Sequence, residues 1–281
     1  MITEAGFVHD LPDTVYHAHG LDSLSSTFAR LLTEHVPAKA LELRKRPATA
    51  AMNLGKAVHA RILGTGPRLV VWQYDGRTKD GKAERAAVAD EIAAGDIVVV
   101  TQAESDRIAG IAQSLLSHPE VRKIIESSQP EVSAFWQERG IWARARFDLL
   151  GDKGAWDLKT TDDASTRGFG RAMSRFGYHQ QSELYGRALG RLDHPAAAEP
   201  VRFICVETEA PYLVQIHTPD DTAIQVARDL NNRAFDIFKR CVEADTWPGL
   251  APLNSEPTPL PPSYFWLHDE ALGLSDEIKV A

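Results

Sequence analysis

Two short alternating runs flank Gly151-Asp152-Lys153-Gly154 in ARFDLLGDKGAWDLKTT, residues 145–161, and no other stretch limits the fold as tightly. A glycine-bounded turn between alternating runs predicts a β-hairpin. With a symmetric turn, Leu149 faces Trp156, Phe147 faces Leu158 and Asp148 faces Asp157. Side chains alternate along a strand, so Phe147, Leu149, Trp156 and Leu158 form a core face. Arg144, Arg146, Asp148, Asp157 and Lys159 form the other. Carboxylates directly opposed across a sheet repel each other. A divalent cation between them turns that repulsion into coordination, because hard cations prefer carboxylate oxygens. The Leu158 carbonyl offers a further oxygen. Lys159 would then stand beside the metal, placed to orient or deprotonate a water and to stabilise developing negative charge. The competing reading is a surface hairpin whose aspartates are relieved by Arg146, Lys159 and solvent.

The order of elements around the hairpin predicts an α/β architecture, one mixed sheet covered by helices. LSSTFARLLTEHVPAKALELRK reads as a serine-capped helix ending near Pro37 and then a second helical stretch. ATAAMNLGKAVHARILGTG is helical in period, with Met52, Leu54, Val58, Ile62 and Leu63 on or near one face and Gly64 to Gly66 ending it. A strand, a basic glycine-bearing loop, a helix and a strand follow, and then a helix up to Pro119. Strands return from Glu131 to Thr161, as EVSAFWQ, IWARARFDLL and AWDLKTT. GFGRAMSRFGYHQQSELYGRALG is mostly helix, VRFICVET and YLVQIHT are strands, and PDDTAIQVARDLNNRAFDIFKRCVEA is a long helix with an acidic start. This divides the chain into a single domain over 1–249, helical over about 21–66 with the core over about 67–249. A proline-rich and then acidic tail occupies 250–281.

Composition excludes several classes. A hydrophobic content of 43% with 25% charged residues is that of a chain that buries a core. No apolar run approaches the roughly 20 residues of a membrane helix, and the N-terminus lacks a basic start followed by an apolar stretch. A cytoplasmic protein without a membrane partner is the expectation. Cys205 and Cys241 are too few and too far apart for a four-thiolate site, so they read as reduced thiols and no iron–sulfur cluster is expected. The net charge of −8 excludes a protein coated in basic surface, but not a local basic channel.

Asp148, a short turn and Asp157-Leu158-Lys159 resemble the PD-(D/E)XK nuclease core, with Phe147 in place of the motif's proline. The resemblance extends to His59 in LGKAVHARIL upstream, and to Gln181 and Tyr185 in YHQQSELYGRAL downstream, the order of the RecB-like branch. RTKDGK (Arg77 to Lys82), LSSTFARLL and GYHQQSELY are similar to the RecE-type exonucleases of phage recombination. The resemblance implies a restriction-endonuclease-like fold and a Mg2+-dependent exodeoxyribonuclease, with Mn2+ able to substitute. It implies that linear double-stranded DNA is digested from its ends, 5' to 3', leaving single strands for recombination. It further implies a ring-like homo-oligomer and a single-strand annealing partner of the RecT/Beta type, in a bacterial or phage-infected host cell. Asp148, Asp157, the Leu158 carbonyl and His59 then hold metal, Lys159 assists the water, and Gln181 and Tyr185, four apart on one helix face, organise the site. Glu131, at the start of the preceding strand, is a further candidate ligand. Arg144, Arg146, Arg77, Lys79 and Lys82 are candidate DNA contacts. An endonuclease of the same fold, and a non-catalytic DNA-binding recombination protein on a decayed nuclease core, are the rival readings.

Overall fold

In the computed structural model, which describes residues 4–250 apart from 48, 75 and 96, the hairpin sits in the middle of a six-stranded sheet. The elements in chain order are β1 (Gly6–Val8), α1 (Asp13–Ala18), α2 (Ser26–Glu34), α3 (Pro37–Leu43), α4 (Ala50–Leu63), β2 (Arg68–Val71), α5 (Lys79–Ala87), α6 (Ala89–Ala94) and β3 (Ile97–Val100). They continue with α7 (Gln102–Ser117), α8 (Pro119–Glu126), β4 (Gln129–Glu138), β5 (Ile141–Gly151), β6 (Gly154–Thr161), α9 (Thr166–Phe176), α10 (Tyr178–Arg191), β7 (Arg202–Glu207), β8 (Val214–His217) and α11 (Asp221–Glu243). The sheet runs β1-β4-β5-β6-β7-β8, with β6 and β7 parallel and every other neighbouring pair antiparallel. The parallel pair is joined through α9 and α10, as a parallel connection requires a crossover.

The helix boundaries follow local chemistry. Ser25 accepts from the Phe28 amide, Thr49 from Met52 and Asp220 from Ala223, each satisfying an amide the helix start leaves free. Thr101 and Glu104 form a reciprocal capping box on α7. Gly177, at φ 68°, separates α9 from α10 in a left-handed conformation that glycine adopts without steric cost.

Helices cover both faces of the sheet. On one face, α2, α3, α10 and α11 bury Leu32, Leu184, Phe235 and Phe238 against Trp136, Ala145 and Phe147. On the other, α4, α7 and α8 bury Val58, Ile111 and Leu115 against Leu149, Trp156, Leu158 and Ile204. A single mixed sheet was the expectation, but β2 and β3 form a separate two-stranded parallel sheet. Met52 is 56% exposed and does not join the apolar face of α4. The strand β1 and helix α1 carry too few residues to show a period in sequence. Among the described residues no helix is long and apolar enough to cross a membrane.

The compact unit ends at Trp247. Of the tail expected at 250–281, all but Leu250 lies outside the described residues.

Candidate active site

The turn closes in the predicted register, with Gly151 paired to Gly154, Leu150 to Ala155 and Leu149 to Trp156. The ladder stops there. Asp148 does not face Asp157 across a continuing sheet, as the symmetric hairpin required. Asp148 Oδ2 instead accepts from the Leu158 amide at 2.7 Å, so a side chain replaces the main-chain rung and the strands open into a fork. Two buried carboxylates in direct opposition would repel at low dielectric, and a backbone donor relieves one of them.

The fork leaves the edge of β5 without its partner strand, and those main-chain groups are satisfied elsewhere. The Leu24 amide donates to the Trp142 carbonyl, and the Arg144 amide to the Leu24 carbonyl, both at 2.9 Å. Further along, Tyr185 on α10 packs edge-on against Phe147. Burial holds the Tyr185 phenol well above its ordinary pKa, so it stays neutral.

The fork also changes the phase of β5. Ala143, Ala145 and Phe147 belong to the core face under α10, but Leu149 belongs to the opposite face and Leu150 to the first. The switch falls at Asp148. Its neighbour in the β4 register is Glu131, which adopts φ 52°, a left-handed conformation unusual for a side-chain-bearing residue. Phe147 therefore does not share a face with Leu149, Trp156 and Leu158. Nor do Arg144 and Arg146 share one with Asp157 and Lys159.

Those two arginines were expected to line a DNA channel, and the structure buries them under α1. Arg144 is 5% exposed, and its Nη1 donates to the carbonyl and hydroxyl of Ser23, both at 2.6 Å. Arg146 donates to Asp13 at 2.5 Å, to the Leu11 carbonyl at 2.9 Å and to Ser133 at 3.0 Å, with its guanidinium 4.2 Å from the centre of the Tyr16 ring. Most of their donors fasten the N-terminal segment, while Arg144 Nε is buried without a partner. Arg144→Ala is therefore expected to cost about 3 kcal/mol of stability by leaving buried acceptors without partners, whereas Lys79→Ala stays within about 0.5 kcal/mol. Urea unfolding of both variants checks this.

Lys79 and Lys82 lie on α5, where a loop was expected, because Thr78 caps the helix through the Gly81 amide. Both are exposed, as is Arg77 just before them.

Five elements, α4, β4, β5, β6 and α10, bring the site residues together. From α4, His59 Nε2 lies 2.8 Å from the Leu158 carbonyl. A carbonyl only accepts, so Nε2 carries the proton and Nδ1 is left with a free lone pair. That Nδ1 is 3.6 Å from Asp148 Oδ2. His59, Glu131 and Asp148 each direct a ligand atom into one space, all within 4.8 Å of one another. The Leu158 carbonyl, expected to coordinate metal, accepts from this histidine.

Asp157 is held apart from this group. Its Oδ1 accepts from Gln181 Nε2 and its Oδ2 pairs with Lys159 Nζ, each at 2.5 Å. The Lys159 ammonium also lies 4.5 Å from the centre of the Tyr178 ring, a contact with no signal in the sequence beyond the i, i+3 spacing of Tyr178 to Gln181. Gln180, the neighbouring glutamine, is buried and bonds Asn231 and Thr33.

The electrostatics divide the site in two. Burial, and then the nearby Asp157 charge, push Asp148 well above the usual carboxylate range. Burial and the Asp148 charge raise Glu131 to about 7. Burial lowers His59, favouring the neutral ring that a metal needs. For Lys159, burial acts downward but Asp157, Tyr178 and Asp148 outweigh it, raising the amine to about 12. It is an ammonium at neutral pH, a form suited to facing negative charge and not to taking a proton. Two carboxylates kept from ionising easily, beside an imidazole with a free lone pair, fit a divalent cation.

A family model described as a PDDEXK-like domain of unknown function (DUF3799) matches residues 25–252. No curated protein matches the chain in sequence. Among solved structures, one described as a candidate exonuclease from Eubacterium rectale superposes with a TM-score of 0.59 at 13% identity, covering 88% of this chain and 94% of its own. A phage-related exonuclease from Haemophilus somnus 129PT covers 80% of this chain and 96% of its own at 10% identity, with a TM-score of 0.35. The alkaline exonuclease LHK-Exo from Laribacter hongkongensis covers 82% and 94% at 14% identity, with a TM-score of 0.33. The first likeness concerns the fold, and the other two are too loose to add to it.

Proposed function

The chain belongs to the PDDEXK-like DUF3799 family, and from that premise we propose that it is a metal-dependent exonuclease acting on linear double-stranded DNA. The observation that carries this reading is the convergence of His59, Glu131 and Asp148 at the fork between β5 and β6, with the Asp157–Lys159 pair beside them. His59 also bonds the Leu158 carbonyl and Glu131 lies 3.8 Å from the Arg146 guanidinium, yet both aim a ligand atom into the space beside Asp148.

His59, Glu131 and Asp148 would hold the cation, with Asp157 adjacent. A bound magnesium would polarise a phosphoryl oxygen and lower the pKa of a water. The rest falls to the side chains. Lys159, fixed by Asp157 and the Tyr178 ring, presents positive charge where negative charge develops on the phosphate. Gln181 holds Asp157 and so keeps Lys159 in place. Tyr185, neutral and buried, packs against Phe147 beside the fork.

The finer assignments rest on the resemblance of the motifs to RecE-type enzymes: 5'-to-3' polarity, a ring-like oligomer, an annealing partner of the RecT/Beta type and a place in recombination. End-labelled linear duplex and closed circular DNA, each with magnesium and with EDTA, test the central reading. The expected result is stepwise loss of linear duplex with magnesium only and survival of the circle, with the 5' label released first. Cutting of the circle would move the protein to the endonucleases, and magnesium-independent loss of the duplex would remove the metal from the reading.

A further inference from the structure

Helix α9 leaves the strand that carries Asp157 and Lys159 and ends at Gly177, immediately before Tyr178. Its inner face packs Phe169, Ala172 and Met173 against Phe203 and Cys205. Its outer face carries Arg167, Arg171 and Arg175, all exposed and spaced four residues apart. At about 1.5 Å rise per residue, successive arginines lie about 6 Å apart along the axis and form one ridge. That is the scale of the step between neighbouring phosphates in an extended strand.

Arg30, Arg68, Arg139 and Arg202 each pair with a carboxylate at 2.6 to 3.0 Å. Among the described residues, none of the three on α9 forms such a pair, although the chain has 39 acidic residues to supply one. Exposed Arg46, Arg61, Arg233 and Arg240 also lack a carboxylate pair among the described residues, but on α9 three such arginines follow one another at four-residue spacing. Asp163, whose pKa is held down by Ser165 and then by Arg171 and Arg167, is bonded to Ser165 at the helix start. Positive charge left unneutralised on a chain of net charge −8 points to an external anion.

At the C-terminal end of the ridge stands Phe176, 47% exposed, with the Arg175 guanidinium 5.3 Å from its ring centre. Its ring lies 5.7 Å from that of Tyr178, which in turn covers the Lys159 ammonium. Aromatic contact thus runs from the surface to the site. An exposed aromatic face next to a basic ridge suits an unpaired base, since bases inside a duplex already have their faces covered.

We propose that α9 is a track for single-stranded DNA, in which Arg167, Arg171 and Arg175 hold successive phosphates and Phe176 stacks a base, leading the strand toward Lys159. This rests on the nuclease reading and specifies the form of DNA it engages. Arginine suits the task because its planar fork binds phosphate oxygens in pairs.

The test is fluorescence-anisotropy binding of the full chain to labelled oligothymidylate and to blunt duplex, in EDTA and over a range of salt. The variants are the triple Arg167→Gln, Arg171→Gln, Arg175→Gln, the matching triple lysine variant, and Phe176→Ala. The glutamine triple is expected to reduce the single-strand salt slope by about 2, at about 0.7 per phosphate contact. The lysine triple restores it. Phe176→Ala weakens single-strand binding about tenfold without changing the slope. An unchanged slope in the glutamine triple, or a loss confined to duplex, overturns the track.

Hydrolysis of bis(p-nitrophenyl) phosphate with magnesium separates this from the nuclease reading, because none of the four side chains touches the reacting atoms. Turnover by the wild type and the glutamine triple alike, with an unchanged salt slope, rejects the track and keeps the nuclease. A wild type that neither turns over this ester nor digests DNA, with a reduced slope in the triple, rejects the nuclease and keeps the track.

Discussion

Asp148→Asn is expected to reduce DNA cleavage by about 10³-fold or more while making the metal-free protein more stable. The two effects have opposite signs because the carboxylate does two things. In the folded chain it is 8% exposed, near Asp157, and its pKa is pushed well up, so its ionised form is an electrostatic burden. Asparagine keeps an oxygen that can accept from the Leu158 amide, which preserves the fork. It removes the charge that a cation and the reaction need. Asp157→Ala and Lys159→Ala should lose activity on a similar scale, by about 10² to 10³-fold, because each leaves the other's charge without its partner. Steady-state digestion and thermal unfolding of the same preparations read both effects. Near-normal turnover in Asp148→Asn with magnesium would remove this fork from the chemistry.

The second large effect is a dependence of stability on pH and metal together. The ordinary pKa of a glutamate is 4.5, and Glu131 sits at about 7 in the fold. A raised folded pKa means that the native state holds a proton the unfolded chain has lost. The Glu131 contribution to the stability of the metal-free protein therefore falls as pH rises from about 4.5 through about 7 and levels off above that, and Asp148 adds a loss of the same sign. At about 1.4 kcal/mol per pKa unit, the Glu131 share of the loss reaches about 3 kcal/mol, and Glu131→Gln should remove that share while the Asp148 share remains. Cation binding requires the deprotonated form, so magnesium should do little at pH 5.5 and most at pH 8. At a hundredfold excess over its dissociation constant it adds about 2.7 kcal/mol, or roughly 5 to 10 °C in thermal midpoint for a chain of this size. A midpoint that ignores both magnesium and manganese at pH 8 would count against a preformed site.

Several site residues were legible because their neighbours in sequence are their neighbours in space. The turn at Gly151 to Gly154 sets the register of Leu149 with Trp156, and strand alternation sends Asp157 and Lys159 to one side. Gln181 and Tyr185 reach the fork from one helix face because they are four residues apart. Glu131 was a weaker candidate, since a glutamate at a strand start is usually solvated, and only its left-handed backbone turns it inward. Arg144 and Arg146 were misplaced by assuming that alternation continues unbroken through Asp148.

The sequence by itself determined which groups could do chemistry and the order in which the chain presents them, because strand and helix periods and turn residues act over a few positions. It also determined the helix ends, where Ser25, Thr101 and Asp220 satisfy amides within their own first turn. Only the tertiary structure decided that Asp148 bonds the Leu158 amide and leaves Asp157 to Lys159 and Gln181. The same holds for His59, which crosses from α4 to meet Glu131 and Asp148, and for α1, which covers Arg146. These contacts join residues separated by tens of positions to more than a hundred, and they form because a buried carboxylate, guanidinium or open strand edge must find a partner wherever the packing provides one.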